Sequence, residues 1–90
     1  MSHNISDAEL VLRAKQGDHG AFTQIYERYA PAIYRYIYFR LGEAELAEDL
    51  QAEVFLRMFE GLHRYEDRGW PFSAWLYRIA RDRTIDVMRR

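Results

Sequence analysis

The stretch EAELAEDLQAEVFLRMFEGLHR, residues 43–64, sets Leu46, Leu50, Val54, Phe55, Met58, Phe59 and Leu62 at three- and four-residue intervals among carboxylates. That spacing returns to one face of a 3.6-residue turn, so it predicts a long amphipathic helix with one buried side. Glu43 and Glu45 at its start suit the positive end of the helix dipole, and the pattern runs to Gly61 or Arg64. No period-two alternation competes with it.

Before this stretch, AFTQIYERYAPAIYRYIYFRLG places Phe22, Ile25, Tyr26, Tyr29, Ile33, Ile37 and Leu41 at helical spacing and ends at Gly42. Pro31 lies inside it, so the helix either kinks there or restarts with Pro31 in its first turn. Ser6 and Glu9 form a capping box for an earlier helix through Leu10, Val11 and Ala14, closed by Gly17. On the other side, YEDRGW breaks the periodicity, and Pro71 opens a helix through Phe72, Trp75, Leu76, Ile79, Ala80, Val87 and Met88. The expectation is an all-α fold, a compact bundle of about four helices near 7–17, 19–41, 44–63 and 71–89. Residues 64–70 are its loop, and residues 1–6 are a flexible end.

Ninety residues make one small domain, which buries only about 60% of its unfolded surface. The chain has no cysteine, which removes disulfide scaffolds and thiolate metal sites. It has no apolar run of the roughly 20 residues a membrane span needs. A reducing, cytoplasmic setting fits that composition, with no membrane partner.

The net charge of −1 conceals an asymmetry. Residues 1–42 are nearly balanced at +1, residues 43–63 carry −5, and residues 64–90 carry +3. An acidic segment beside a basic one suggests two different partners, or else simply solvated helix faces.

Chemistry-bearing constellations are sparse. His3, His19 and His63 are scattered, and no glycine-rich phosphate loop or nucleophile motif occurs. Glu60 and His63 have the Glu-x-x-His spacing of di-iron bundles, but no second such pair exists. Glu45, Glu48, Asp49 and Glu53 fall on an exposed face without a pocket partner, so an enzyme, a metal or a cofactor is not expected. The basic end suits nucleic acid better: Arg78, Arg81 and Arg89 recur at multiples near one helical turn, with Arg83 and Arg90 close by. Rings in the preceding loop would stack on unpaired bases while arginines hold the phosphates, which favours single-stranded or melted nucleic acid. Phe72, Trp75 and Leu76 sit at core spacing and read first as packed residues.

The stretch AEDLQAEVFLRMFEGLHRYEDRGWPFSAWLYRIARDRTIDVMRR resembles region 2 of bacterial RNA polymerase sigma factors of the extracytoplasmic-function group, and AFTQIYERYAPAIYRYIYFRLG is similar to the helix before it in that family. The likeness covers nearly the whole chain after residue 7 and keeps order and spacing. It implies that the acidic third helix docks on the clamp helices of the polymerase largest subunit through Asp49, Leu50, Gln51, Glu53, Val54, Arg57 and Met58. It implies also that the loop and fourth helix recognise and melt the promoter minus-ten element. Tyr65, Arg68 and Trp70 would line a base pocket, and Tyr77, Arg78, Arg81, Arg83, Arg89 and Arg90 would hold the non-template strand.

Two positions depart from the family pattern. Ala52 stands where glutamine is usual, removing one polymerase contact that Gln51 could replace. Asp82 stands where asparagine is common, and it either accepts a bond from a cytosine amino group or pairs with Arg78 or Arg81. Leu76 fills the second place of an aromatic pair that acts as a melting wedge in housekeeping relatives. Factors of this group carry a second helical domain that reads the minus-thirty-five element, and the expectation is that these residues represent the first domain alone. They are commonly sequestered by anti-sigma factors, which keeps a rival reading open: a helical interaction domain with no nucleic-acid role of its own.

Overall fold

A computed structural model describes residues 5–90. Four helices follow in order: α1 Asp7–Lys15, α2 His19–Leu41, α3 Ala44–Gly61 and α4 Phe72–Met88, with a 3-10 turn Leu62–Arg64 after α3. α1 packs on α2, α2 on α3 and α4, and α3 on α4. Among the described residues there is no strand.

Each boundary has a local cause. Ser6 Oγ accepts from the Glu9 amide at 3.1 Å and starts α1. The reciprocal half of the expected capping box is not formed, because the Glu9 carboxylate turns to Arg13 one turn on, at 3.3 Å. Asp18 caps α2 by accepting from the Ala21 amide at 3.1 Å, and Gly42 ends it in the left-handed region at φ 75°. Residues 1–4 of the expected flexible end, with His3, lie outside the described residues. Ile5 is half-buried against the core and Ser6 is a cap, so that part of the segment is tied down.

Pro31 neither ends nor restarts its helix, since α2 is continuous through it. Pro31 is on the exposed face, where water can bond the carbonyl that its missing N–H leaves open. On the inner side Gln51 Nε2 donates to the Ala30 carbonyl at 2.8 Å, joining α3 to α2 beside the proline.

The core is a row of residues repeating every three or four positions: Leu10 and Val11; Ile25, Ile33 and Ile37; Leu50, Val54 and Met58; Phe72, Leu76 and Ala80. Burying each larger side chain is worth about 1.5–3 kcal/mol. Thr84 continues the α4 row, and its hydroxyl donates to the Ala80 carbonyl at 2.7 Å instead of remaining orphaned. Tyr26, Phe59 and Met88, expected in the core, stand out of it. α4 therefore turns one stripe inward and leaves Ala74, Arg78, Arg81, Asp82 and Arg89 on its outer side.

Candidate nucleic-acid interface

The loop before α4 is held at both ends. Lys15 Nζ donates to the Tyr65 carbonyl at 2.6 Å, fastening the loop's first residue to α1. The Tyr65 ring lies 4.8 Å from Trp75 and meets Phe72 edge-on at 5.7 Å. Burial, and next the nearby Asp67 charge, push the Tyr65 hydroxyl pKa up. Asp67 Oδ1 accepts from the Gly69 amide at 3.0 Å, and Gly69 has φ 89°, a conformation that suits glycine. The turn lifts Trp70 into solvent, 75% exposed.

Between this loop and the start of α4 is a cavity of about 400 Å³, lined by Arg64, Tyr65, Glu66, Arg68, Trp70, Pro71, Ala74, Trp75 and Arg78. Three guanidinium groups and one carboxylate rim it, and three aromatic side chains form its walls. An unstacked base fits such a place: the rings offer stacking faces, and the arginines offer donors for phosphate or base edges. The loop residues Tyr65, Arg68 and Trp70 meet Arg78 of α4 there.

The other residues marked on α4 lie along it. Arg81 and Asp82 are exposed neighbours at 3.5 Å, and Arg89 and Arg90 are exposed at the helix end. Tyr77 is half-buried, edge-on to Tyr36 of α2 at 5.6 Å. Arg83 differs from the expectation: its side chain is only 16% exposed and points between α3 and α4, to Glu53 at 3.0 Å and Asp86 at 2.8 Å. Its place beside the Leu76–Ala80–Thr84 stripe turns it toward α3 and away from any strand on the outer face.

Residues missed by sequence reasoning are as informative. The spacing of Trp75 marks it as a core anchor, yet it is half-buried, with one part of the ring over Gly61 and another on the cavity. Ala74, one turn before the expected Arg78, and Arg64, at the end of the 3-10 turn, line the cavity without having been among the expected contacts; the Ala74–Arg78 spacing could have marked an outer stripe leading to the loop.

On α3 the expected docking set divides. Leu50, Val54 and Met58 are buried, because their i, i+4, i+8 spacing is the core stripe itself, so they offer no docking surface. Asp49 and Arg57 are exposed, while Gln51 and Glu53 are half-buried and already bonded within the bundle. Beside its exposed charges, which include Glu45, Glu48 and Glu60, α3 also presents apolar side chains. Leu56 is 57% and Phe59 51% exposed, and with Ala52, Phe55, Tyr26, Phe22 and His19 they line a shallow groove of about 410 Å³ against α2. Ala52, where the family usually has glutamine, is part of its lining. Among the described residues no helix is long and apolar enough to cross a membrane, and no group of His, Asp or Glu could hold a metal ion.

The sigma-70 region 2 family model matches residues 25–90. The chain belongs to that family. Its curated relatives include the ECF RNA polymerase sigma factors BldN of Streptomyces coelicolor, 44% identical over 78 residues, and SigW of Bacillus subtilis, 39% identical over 80. These alignments cover 87% and 89% of this chain but 30% and 42% of those proteins, so the chain spans less than half the length of either. The relatives place this region 2 domain in the ECF group of RNA polymerase sigma factors. Two solved structures are similar. One is the RsbN–BldN complex, with TM-score 0.80 and 42% identity, covering 84% of this chain and 55% of that one. The other is an engineered region 2 of sigmaE in complex with GTAAAA, with TM-score 0.86 and 27% identity, covering 98% of this chain and 90% of that one.

Proposed function

We propose that this domain captures melted promoter DNA of the minus-ten type in the pocket between the loop and α4, while the outer face of α3 docks on the clamp helices of core RNA polymerase. The observation that carries the reading is the cavity walled by Tyr65, Trp70 and Trp75 and rimmed by Arg64, Arg68 and Arg78, in a fold whose sigmaE neighbour is bound to a six-base DNA sequence. A flipped base enters between the rings, and Arg78 with Arg81 and Arg89 on the outer face of α4 holds the non-template strand beyond it. Asp82 sits among these arginines and sets which base edge is tolerated next to them. The work is done in the cytoplasm, where promoter and polymerase are.

Polymerase docking is assigned to Asp49 and Arg57 together with the exposed apolar residues Ala52, Leu56 and Phe59. A central apolar anchor within a charged rim is how protein interfaces concentrate their energy. The same exposed apolar groove supports the second reading, sequestration by an anti-sigma factor, since the BldN neighbour was solved in complex with RsbN. The two readings coexist if the inhibitor covers a surface that polymerase or DNA needs.

The test is tryptophan fluorescence on addition of single-stranded GTAAAA at low salt. Quenching that disappears in Arg68→Ala and Trp70→Ala supports DNA capture. A signal indifferent to DNA in the intact protein leaves only the interaction-domain reading.

A further inference from the structure

Between Glu27 and Glu43 the chain carries no acid, and the second half of α2 displays aromatic and basic residues in their place. Phe39 is 80% exposed and Arg35 lies one turn before it on the same outward side. Neither Arg35 nor Arg40 has an ion-pair partner among the described residues, whereas Arg28 is spent on Asp7 at 2.7 Å. The Arg40 guanidinium is laid over the Tyr36 ring, 3.6 Å from its centroid, and bonded to the Tyr36 carbonyl at 3.0 Å. It is thus displayed as a flat, positioned cation and not as a freely waving one.

This surface is not isolated. Tyr36 meets Tyr77 of α4 edge-on at 5.6 Å, and Tyr77 is the helix neighbour of Arg78, which lines the base pocket. Arg78 has no ion-pair partner among the described residues and carries the basic character on the α4 side, whereas Arg81, one turn after Tyr77, is paired with Asp82 at 3.5 Å. A basic and aromatic track therefore leads from the loop pocket across α4 onto α2. Its chemistry, positive charge with exposed ring faces, complements a phosphodiester strand with unpaired bases better than it complements a second apolar protein surface.

We infer that Arg35, Phe39 and Arg40 of α2 form a second contact site for the same DNA strand, engaging nucleotides next to those captured in the loop pocket. The inference rests on the DNA-capture reading above. The arginines take phosphates and Phe39 offers a stacking face to one base.

Three probes test it: the hexanucleotide GTAAAA, the same hexamer extended by six thymidines on its 5′ side, and the hexamer so extended on its 3′ side. One extended probe should bind the unaltered protein more tightly than the hexamer. Phe39→Ser should lose about tenfold on that probe, the order expected for one base–aromatic stack. The double variant Arg35→Gln, Arg40→Gln should lower the salt slope by about 1.4, at roughly 0.7 per single-strand phosphate contact. Neither variant should change hexamer binding by more than about twofold; Phe39→Ser should leave the melting temperature unchanged, and the double variant, which gives up the Arg40–Tyr36 contact, should lower it by only a few degrees. Trp70→Ala should weaken binding of every probe. If the extended probes bind no tighter than the hexamer, or if the α2 variants match the parent on them while Trp70→Ala fails, the second site is refuted and DNA capture survives. If Trp70→Ala also has no effect, DNA capture and the second site fall together. An acidic protein that binds the α2 face while every DNA response is unchanged would likewise overturn the assignment.

Discussion

Arg83 reaches from α4 to Glu53 of α3 at 3.0 Å, and the same Glu53 carboxylate receives Arg57 at 3.4 Å. An arginine expected on the DNA side and a glutamate expected on the polymerase side are thus partners inside the bundle. Arg83→Ala should cost about 1–2 kcal/mol, more than an exposed pair because the guanidinium is mostly covered and Glu53 and Asp86 would both lose a partner. For a domain of this size that is a fall of about 4–8 °C in melting temperature per kcal/mol. Affinity for GTAAAA, measured on the folded fraction, should stay within about twofold. A larger loss of DNA binding with no loss of stability would return Arg83 to the DNA face.

The hydroxyl of Tyr29 is a second internal tie. It donates to Asp7, whose other carboxylate oxygen receives Arg28. Burial, and next the bond and charge of Asp7, push the Tyr29 pKa up to about 12. Its unfolded value is 10, so the folded state binds the proton more tightly. The resulting stability is complete below pH 10 and is lost as pH rises from 10 to about 12. Urea unfolding at pH 9, 10 and 11 should show this decline in the parent, with a shallower one in Tyr29→Phe. Equal slopes for the two proteins would remove Asp7–Tyr29 from the account.

Gly61 is where α3 makes room for the pocket wall. A Cβ there would stand 3.2 Å from Cζ2 of Trp75. Gly61→Ala gains about 1 kcal/mol of helix propensity but must push the indole aside by a few tenths of an ångström. The melting temperature should therefore change little while the environment of Trp75 changes. In a Trp70→Phe background, where Trp75 alone reports, near-ultraviolet circular dichroism should alter and DNA affinity should fall several-fold. An unchanged spectrum would mean that the indole does not rest on Gly61.

How much of this was legible in the sequence depends on what kind of neighbour decided it. Leu10 and Val11, Ile33 and Ile37, and Leu50, Val54 and Met58 are buried where their periodicity put them, because a helix's own spacing determines which side it hides. The same periodicity is why Leu50, Val54 and Met58 cannot also form a docking face, a conflict that their spacing alone contains. Arg83 was not legible: which flank of α4 meets α3 depends on the packing of two helices, and a charge pattern along one helix does not encode it. Pro31 is accepted mid-helix because it falls on the exposed side while Ala30 and Ile33 bury against neighbours, outweighing a local cost of about 3 kcal/mol. Phe59 was hidden among core residues because it sits at the edge of the apolar face of α3, whereas Leu56 falls outside that face by its spacing, so its exposure was legible.

Lys15 links the loop to α1 through the Tyr65 carbonyl at 2.6 Å. Lys15→Met keeps most of the apolar stem and removes the donor. The pocket lies beyond this tether, so freeing Tyr65 should raise amide exchange across residues 66–70 while α3 and α4 keep their protection. GTAAAA binding should weaken several-fold, as the loop must then be ordered on binding. Unaltered exchange in the loop would show that the Tyr65 ring contacts with Phe72 and Trp75 hold it without help.

The outer face of α3 can be tested without confusing docking with folding. Val54 is fully buried, so Val54→Asp places a carboxylate in the core and should abolish folding, which says nothing about a partner. Leu56 is 57% exposed, and Leu56→Asp should leave stability within about 0.5 kcal/mol. If α3 docks on the polymerase clamp helices through its apolar centre, the same change should cost about 2 kcal/mol or more of binding, roughly thirtyfold, in a pull-down or titration with a clamp-helix fragment. Phe59→Asp should behave alike, and Arg57→Glu should act more through salt sensitivity and association rate than through residence time. Full binding by Leu56→Asp and Phe59→Asp together would move the docking surface off this face.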